Sequence, residues 1–320
     1  MTLLYTSPIF LEHDTGRHPE CAERLRAITR QLEASGLAAA CQAVTWQPAT
    51  EDELRLVHGA DYPEVIRVSS LRGGGRIEVD TVVSVRSFDA AALAAGAVVD
   101  AVRRVVAGPE RAALCLVRPP GHHALPSGPM GFCLFNNVAI GARLAVRELG
   151  LNRVLIVDWD VHHGNGTQEM FYTDPQVGFF SIHRWPFYPG TGAADETGGG
   201  PGLGTTLNLP IEFGVSRVDY LAVFRNRLET FADRLRPELV MISAGFDAHR
   251  EDPVGSLGLE SEDFAALTDT VVQIAATHAG GRIVSALEGG YHPARLAESV
   301  ETHLRRLSEA ETRGKMMNAE

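Results

Sequence analysis

Asp158, Asp160 and His162 occupy alternate positions in a run that begins with apolar residues and ends in a glycine-bearing turn. In an extended chain, side chains two residues apart point to the same face, so two carboxylates and an imidazole would converge. Burying such groups is unfavourable unless a partner compensates their charge, and a divalent cation does so efficiently. The run therefore predicts a metal site. The alternative is a solvated loop, because aspartate and asparagine are also ordinary turn residues.

Three further apolar runs are also followed by residues that could do chemistry. Ligands of open α/β sheets bind beyond the carboxyl ends of the strands, so these residues are expected to meet. The polar segments are Arg118 to His123, Asp160 with His162, Gly245 to Asp247, and Glu288 to Tyr291. Asp160, His162 and Asp247 make a three-ligand set that leaves a coordination position open for water or a substrate carbonyl, as catalytic zinc requires.

The remaining strand-end residues supply the other parts of a hydrolytic site. The tandem histidines His122 and His123 are candidates for the base that takes a proton from water. Tyr291, after two glycines, can donate a hydrogen bond to the oxyanion that forms when water attacks a carbonyl. Each residue alone has an ordinary structural explanation, such as a helix cap for Asp247. Together they predict a metallohydrolase.

The elements that position these residues alternate along the chain. Short apolar runs alternate with longer amphipathic or alanine-rich segments, which predicts an α/β fold of three α/β/α layers with a mainly parallel central sheet. The predicted strands are Ala112 to Val117, Val154 to Val157, Val177 to Ile182, Leu239 to Ser243 and Ile283 to Leu287. The predicted helices are Pro19 to Ser35, Ala90 to Val106, Asn136 to Leu149, Val218 to Arg234, Glu260 to Ala279 and Pro293 to Leu307.

The chain shows no internal repeat and no linker, which predicts one domain over residues 1–310 and a polar tail over 311–320. Its most glycine-dense stretch, residues 190–204, is expected to be a long surface loop. A phosphate-binding loop is disfavoured there because no predicted helix and no Lys-Ser/Thr pair follow the glycines.

Composition narrows the class of protein. The 320 residues have a formal net charge of −11 and no dense basic run, which argues against direct nucleic-acid binding. The N-terminus lacks a signal-peptide pattern, and no run approaches the roughly 20 apolar residues of a membrane span. The four cysteines are widely spaced without a CxxC pair, so reduced thiols are expected. We therefore expect a soluble cytoplasmic protein; the sequence does not specify its oligomeric state.

These motifs resemble the histone deacetylase family. The matching segments include Arg-Pro-Pro-Gly-His-His, Gly-Phe-Cys-Leu-Phe-Asn-Asn, Asp-Trp-Asp-Val-His-His-Gly-Asn-Gly-Thr, Ser-Ile-His-Arg, Ala-Gly-Phe-Asp-Ala-His and Glu-Gly-Gly-Tyr. They cover nearly the whole chain in the family's order, from about His18 to the helix after Tyr291. Arg-Pro-Pro-Gly-His-His and Asn165 make the chain more similar to class II and its bacterial relatives, which include acetylpolyamine amidohydrolases, than to class I. The resemblance implies an arginase/deacetylase-like fold.

The resemblance also implies roles for individual residues. It implies one Zn²⁺ ion held by Asp160, His162 and Asp247, with His123 as general base and acid and Tyr291 polarising the scissile carbonyl. Asp158 would accept from His122 and keep that ring oriented and charged. Asn165 would face His123, where class I members carry an aspartate.

A substrate channel and a potassium site follow from the same resemblance. Phe132 and Tyr188 would form the aromatic walls of a narrow acyl-lysine channel, with Cys133 at its base and Gly131 and Gly290 along it. Family members usually carry phenylalanine where this chain has Tyr188, so a polar contact at the rim is expected. The residues implied at a structural K⁺ site are Asp158, Asp160, His162, Ser181 and Ile182.

Three alternatives bear on the function. Arginase-type enzymes bind two manganese ions and need a second carboxylate beside the equivalent of Asp247; here Ala248 and His249 follow, which favours a single metal. A non-catalytic acyl-ligand binder on the same fold would have no use for Tyr291. Within the enzyme interpretation, acyl-lysine in proteins or peptides and acylated polyamines both stay open, as does the acyl chain length. The loops Leu71 to Ser87 and Trp185 to Gly204 should set the entrance.

Overall fold

An eight-stranded, entirely parallel sheet forms the centre of the protein, in the order β2-β1-β5-β10-β9-β6-β7-β8. The computed structural model describes residues 1–317, and for residues 311–317 it describes the helical backbone alone. Its strands are β1 (Leu3–Tyr5), β2 (Gln42–Ala43), β3 (Gly75–Arg76), β4 (Val82–Val83), β5 (Ala112–Cys115), β6 (Val154–Asp158), β7 (Val177–Arg184), β8 (Thr206–Ile211), β9 (Leu239–Ala244) and β10 (Ile283–Leu287). Strands β3 and β4 form a separate antiparallel pair.

Helices cover the sheet in two groups. They are α1 (Ala22–Ala34), α2 (Glu51–Leu54), α3 (Tyr62–Leu71), α4 (Ser87–Ala107), α5 (Asn137–Arg147), α6 (Asn165–Phe171), α7 (Arg217–Leu235), α8 (Asp263–His278) and α9 (Pro293–Met317). Helices α1, α9, α8 and α7 pack side by side, and α4 packs on α5. Both groups contact the sheet, which gives the predicted three-layer architecture.

The central strands are buried along their whole length. Every residue of β5, β6, β9 and β10 is buried, and these strands are built mainly from valine, isoleucine, leucine and alanine. A parallel strand covered by helices on both faces needs such a continuous apolar run rather than an alternating one. The four strands therefore give the residues that follow them a rigid support.

The five predicted strands are present, with shifted ends. Strand β5 ends at Cys115, two residues before the predicted end, while β7 continues to Arg184. The sheet strands β1, β2 and β8 were not predicted. The first two have only three and two residues, too few to show a pattern, and β8 follows the glycine-dense segment.

The helix predictions differ mainly at the ends. Helix α1 begins at Ala22, not at residue 19, because Cys21 still has an extended backbone. Helix α9 continues to Met317, well past the predicted end at Leu307, and so enters the segment expected to be a polar tail. The side chains of residues 311–320 lie outside the described part of the chain. Among the described residues, no helix is long and apolar enough to cross a membrane.

Candidate functional site

The four segments singled out in the sequence meet at one edge of the sheet. Strands β5, β10, β9 and β6 are adjacent and parallel, so their carboxyl ends lie side by side. The chain crosses from β5 to β6 over the two strands between them, which are added later. Ligand sites of open α/β sheets form where strand order changes in this way.

Asp160, His162 and Asp247 form a buried group that could hold a metal ion. One potential ligand atom from each lies within 4.8 Å of the others. His162 Nδ1 lies 3.0 Å from Asp160 Oδ1 and 3.1 Å from Asp247 Oδ2. A single imidazole nitrogen carries at most one proton, so it cannot satisfy both carboxylates. Asp247 Oδ2 forms no hydrogen bond within the described residues.

The electrostatics of this group fit a divalent cation. Burial, together with the nearby charge of Asp160, raises the pKa of Asp247 to about 7. Two carboxylates held together away from water cannot both stay ionised at low cost unless a positive charge joins them. The outer oxygens are fixed by the backbone: Val161 N donates to Asp247 Oδ1 at 2.9 Å, and Gly289 N donates to Asp160 Oδ2 at 2.8 Å. A side chain at Gly289 would collide with both carboxylates, so glycine is required there.

The alternation argument is wrong beyond Asp158, the last residue of β6. After it the chain turns, with Asp160 N donating to Asp158 Oδ1 at 3.1 Å and His162 N donating to Asp160 Oδ1 at 2.9 Å. Such side-chain turns are typical of aspartate. Asp158 lies outside the group of possible metal ligands and instead contacts His122 Nδ1 through Oδ2 at 3.0 Å.

The tandem histidines are adjacent but have opposite electrostatic environments. Burial lowers the pKa of His122, but Asp158 and Asp160 outweigh burial and raise it to about 10. Burial, followed by the charges of His122 and His162, holds the pKa of His123 well below its usual value. At neutral pH the first ring is therefore a cation and the second is neutral. A neutral, buried imidazole is suited to accept a proton.

Tyr291 lies at the same edge, 8% exposed, with its ring 5.7 Å from that of Phe132. Burial raises the pKa of Tyr291 well above its usual value, and Asp247 adds to this effect. The phenol therefore stays protonated and can donate a hydrogen bond. The preceding Gly290 has φ of 118°, which side chains rarely adopt, and its carbonyl accepts from Arg24 Nε at 2.6 Å.

Glu288 supports the backbone of the histidine segment. Its Oε2 accepts from Gly121 N at 2.6 Å and from His122 N at 3.2 Å. Its Oε1 has no hydrogen-bond partner among the described residues, and burial raises the pKa of this carboxyl to about 7. The sequence indicated Glu288 only as part of a strand-end motif.

The predicted channel residues lie beside the histidines. Tyr188 is 39% exposed, and its ring contacts that of His123 at 5.3 Å. Gly131 and Phe132 both have positive φ, and Cys133 below them is fully buried. Asp80, from the β3–β4 loop, accepts from Gly131 N at 3.1 Å. Burial and a hydrogen bond to Asp80 raise the pKa of Tyr188 above its usual range.

The other predicted residues also have defined contacts. Ser181 and Ile182 are buried on β7, and the Ser181 hydroxyl lies 2.9 Å from His183 Nδ1. His163 bonds to Thr191 and Gln168, away from the ligand group.

Three residues at the site had no clear signal in the sequence. Arg24 is fully buried against Tyr291, Asp80 accepts from Gly131 N beside the predicted channel residues, and Asp252 accepts from the backbone N–H of Tyr291. Asp80 falls within a loop that was expected to set the entrance, but neither it nor Asp252 stands in a recognisable pattern.

Comparison with known proteins identifies one family. Residues 18–307 match the family described as "Histone deacetylase domain". The chain is 39% identical to "Histone deacetylase 10, chloroplastic" of Oryza sativa subsp. japonica over 93% of this chain and 71% of that protein. It is 39% identical to a "Probable deacetylase" of Archaeoglobus fulgidus over 88% and 79%, respectively.

Two further similarities concern substrate and fold. "Polyamine deacetylase HDAC10" of Homo sapiens is 43% identical over 88% of this chain, which spans only 44% of that protein. The crystal structure of the HDA15 HD domain superimposes with a TM-score of 0.91 at 35% identity, covering 98% of this chain and 92% of that one. The fold and most of the sequence are thus similar to those of deacetylases.

Proposed function

This chain belongs to the histone deacetylase family, and we propose that it uses one Zn²⁺ ion to hydrolyse the amide bond of an acyl-lysine side chain in a protein or peptide. Its relatives are hydrolases that deacetylate their substrates, so the chain is an amide-hydrolysing deacetylase. The buried group of Asp160, His162 and Asp247, with His123 and Tyr291 beside it, carries the proposal of zinc-dependent chemistry.

Asp160, His162 and Asp247 would hold the ion. Two carboxylates and one imidazole match the nitrogen and oxygen ligands of catalytic zinc, and three protein ligands leave a position for the reactants. When bound, zinc acts as a Lewis acid that lowers the pKa of water and polarises the substrate carbonyl. Glycines at 245 and 289 leave no side chain between the carboxylates and the strands that support them.

His123 would move the proton. Its Nδ1–H donates to Asn165 Oδ1 at 2.7 Å, so Nε2 is left unprotonated as the acceptor. As water oxygen forms a bond to the acyl carbon, Nε2 takes a water proton; when the C–N bond breaks, the same proton goes to the leaving amine nitrogen. His122, held as a cation by Asp158, favours the negative charge that builds on the reacting oxygens.

Tyr291 would stabilise the tetrahedral intermediate. Its protonated phenol donates a hydrogen bond to the carbonyl oxygen, which becomes negative when water adds to the acyl carbon. Its 8% exposure leaves it little competition from solvent. This interaction strengthens as charge develops, so it favours the transition state over the bound substrate.

The aromatic side chains near His123 and Tyr291 favour a substrate with a narrow, unbranched chain. Phe132 and Tyr188 pack against Tyr291 and His123, and rings at a channel wall favour an uncharged methylene chain. A lysine side chain has this form. Acylated polyamines are the second candidate, because the human polyamine deacetylase is 43% identical and because the Asp80 carboxylate lies at the mouth, where a cationic amine would be attracted.

A panel of substrates tests the proposal. Zinc-loaded protein should hydrolyse acyl-lysine peptides faster than acetylated spermidine or putrescine, as measured by kcat/KM across several acyl lengths. Removal of metal by a chelator should abolish turnover, and zinc should restore it. Higher kcat/KM for the polyamines would assign the second substrate class, and turnover unaffected by chelation would reject metal-dependent hydrolysis.

Two further assignments belong to this proposal. We propose that K⁺ binds around Asp158, Asp160 and His162 with Ser181 and Ile182, because Asp158 at the end of β6 pairs with Ser181 on β7. Elemental analysis after dialysis into sodium would test it. We also propose a cytoplasmic location, which fractionation of cells would test.

A further inference from the structure

We propose that Asp252 is a positioning residue for Tyr291, an inference that rests on the proposed hydrolytic role of that tyrosine. Asp252 is 8% exposed, and its two carboxylate oxygens bind different segments. Oδ2 accepts from Tyr291 N at 2.6 Å. Oδ1 accepts from Val254 N and Gly255 N, both at 2.9 Å. One side chain therefore joins the loop after β9 to the turn after β10.

The loop that carries Asp252 also carries the candidate ligand Asp247. Ser256 N donates to Asp247 O at 2.7 Å, which closes this segment into a compact unit. Because Asp252 belongs to the same unit, its bond to Tyr291 N sets the distance between the tyrosine and the ligand group. The position of the oxyanion donor relative to the metal thus depends on Asp252.

Tyr291 needs such a restraint because of its own turn. Gly290 has φ of 118°, and glycine has more backbone freedom than any other residue, so the turn needs contacts that hold it in place. Arg24 holds the turn from the other side, through Gly290 O at 2.6 Å and through its guanidinium 5.0 Å from the Tyr291 ring. Arg24 fixes the carbonyl before the tyrosine, and Asp252 fixes the tyrosine's own N–H.

The Asp252→Asn substitution separates a positioning role from a general role in folding. Asp252→Asn keeps the shape of the side chain but replaces one carboxylate oxygen by an NH₂ group, which cannot accept a hydrogen bond. The NH₂ group must face either Tyr291 N or the two loop N–H groups, and the donors that it faces lose their acceptor. Asp252→Ser is a second variant, whose short hydroxyl reaches only its own turn. Asp263→Asn is the matched control. Asp263, at the start of α8, is 5% exposed, and its carboxylate also accepts from a backbone N–H, that of Glu260 at 2.8 Å.

A double-mutant cycle tests the proposal. Asp252→Asn and Asp252→Ser should lower kcat about tenfold to a hundredfold, the loss typical of a misplaced catalytic group, with KM and zinc content unchanged. In a Tyr291→Phe background, either change should lower kcat no further, because its effect passes through the tyrosine. Asp263→Asn should leave kcat at the wild-type value. An undiminished effect of the Asp252 changes in the Tyr291→Phe background, or a loss of zinc, would overturn the proposal.

Hydrogen–deuterium exchange provides a readout independent of activity. Exchange of the peptide containing residues 288–292 should become faster in both Asp252 variants and stay unchanged in Asp263→Asn. Unchanged exchange in the Asp252 variants overturns the positioning role. If the wild-type protein hydrolyses no acyl amide, the proposed function fails. Faster exchange in the Asp252 variants would still show that Asp252 restrains the backbone of Tyr291.

Discussion

His123 donates its Nδ1–H to Oδ1 of Asn165 across 2.7 Å. The amide of Asn165 is oriented by its other end, since Nδ2 donates to the sulfur of Met130 at 3.3 Å. His122, by contrast, donates to a carboxylate, that of Asp158, at 3.0 Å. A neutral acceptor behind one ring and an anion behind the other explain why two adjacent histidines hold their protons so differently.

Replacing Asn165 by aspartate should therefore shift the pH dependence of the reaction. A carboxylate at this position favours imidazolium, so it raises the pKa of His123 from the lowered value set by burial and the neighbouring histidines. Because only neutral His123 accepts a proton, the acid limb of kcat/KM against pH should move about one to two units higher. The alkaline limb should not move. An acid limb that stays in place would show that another group is the base.

Tyr291→Phe should retain the metal but lose most of the hydrolysis. The change removes one hydroxyl from a ring whose phenol stays protonated, and loss of a single oxyanion donor costs about 10²- to 10³-fold in kcat. Single-turnover rates and zinc content measured on the same preparation check this. Wild-type turnover in the variant would remove Tyr291 from the chemistry.

Asp247→Ala should lose the metal itself. The change removes the oxygen that faces His162 Nδ1 at 3.1 Å and leaves only two of the three candidate ligands. Zinc content after dialysis should fall to about a tenth or less of the wild-type value, since even partners behind the ligands contribute 10- to 100-fold in affinity. Asp263→Ala is the control, as it removes a buried carboxylate outside the ligand group. Full zinc occupancy in Asp247→Ala would refute the ligand assignment.

Tyr188→Phe should affect substrate binding more than catalysis. The change keeps the ring beside His123 but removes the hydroxyl that interacts with Asp80. A hydrogen bond of about 1 kcal/mol between two loops corresponds to a rise in KM of roughly fivefold, with kcat nearly unchanged. A fall in kcat at constant KM would place the hydroxyl in the reaction instead.

The sequence was informative wherever a residue's neighbours along the chain decide its role. The apolar runs shortly before Asp160, His162 and Tyr291 predicted central strands, because a buried parallel strand has a continuous apolar pattern. They also predicted the edge of the sheet at which these three residues meet. The same local pattern was wrong about Asp158, since a turn begins there and its carboxylate faces His122.

Contacts between segments that are far apart in the sequence could not be predicted from local sequence patterns. Asp252 and Tyr291 are 39 residues apart, and a lone aspartate before a proline looks like any turn residue. Asp80 reaches Gly131 across 51 residues by way of the short β3–β4 pair, which was not predicted. Such pairs depend on how the loops fold over the sheet, so they become visible only in three dimensions.

His303, outside the proposed ligand group, should control part of the acid stability. It is fully buried, with Nδ1 2.7 Å from the Thr268 hydroxyl and Nε2 2.9 Å from the Ser285 hydroxyl. The Thr268 hydroxyl already donates to Phe264 O, so it accepts from Nδ1–H, and Nε2 accepts from Ser285. Both ring nitrogens of the neutral form are thus satisfied, and burial lowers the pKa of His303 to about 3.

This lowered pKa makes the unfolded chain the better proton acceptor below about pH 6.5, the ordinary value for histidine. The contribution of neutral His303 is complete above that pH and is lost as pH falls toward 3, by about 1.4 kcal/mol per pH unit. His303→Gln, which cannot titrate, should therefore show a shallower fall of the free energy of unfolding between pH 6.5 and 4.5, measured by urea denaturation. The other buried histidines are present in both proteins, so the difference in slope isolates His303. Parallel curves would mean that His303 has the same pKa in the folded and the unfolded chain, which would contradict the lowered pKa.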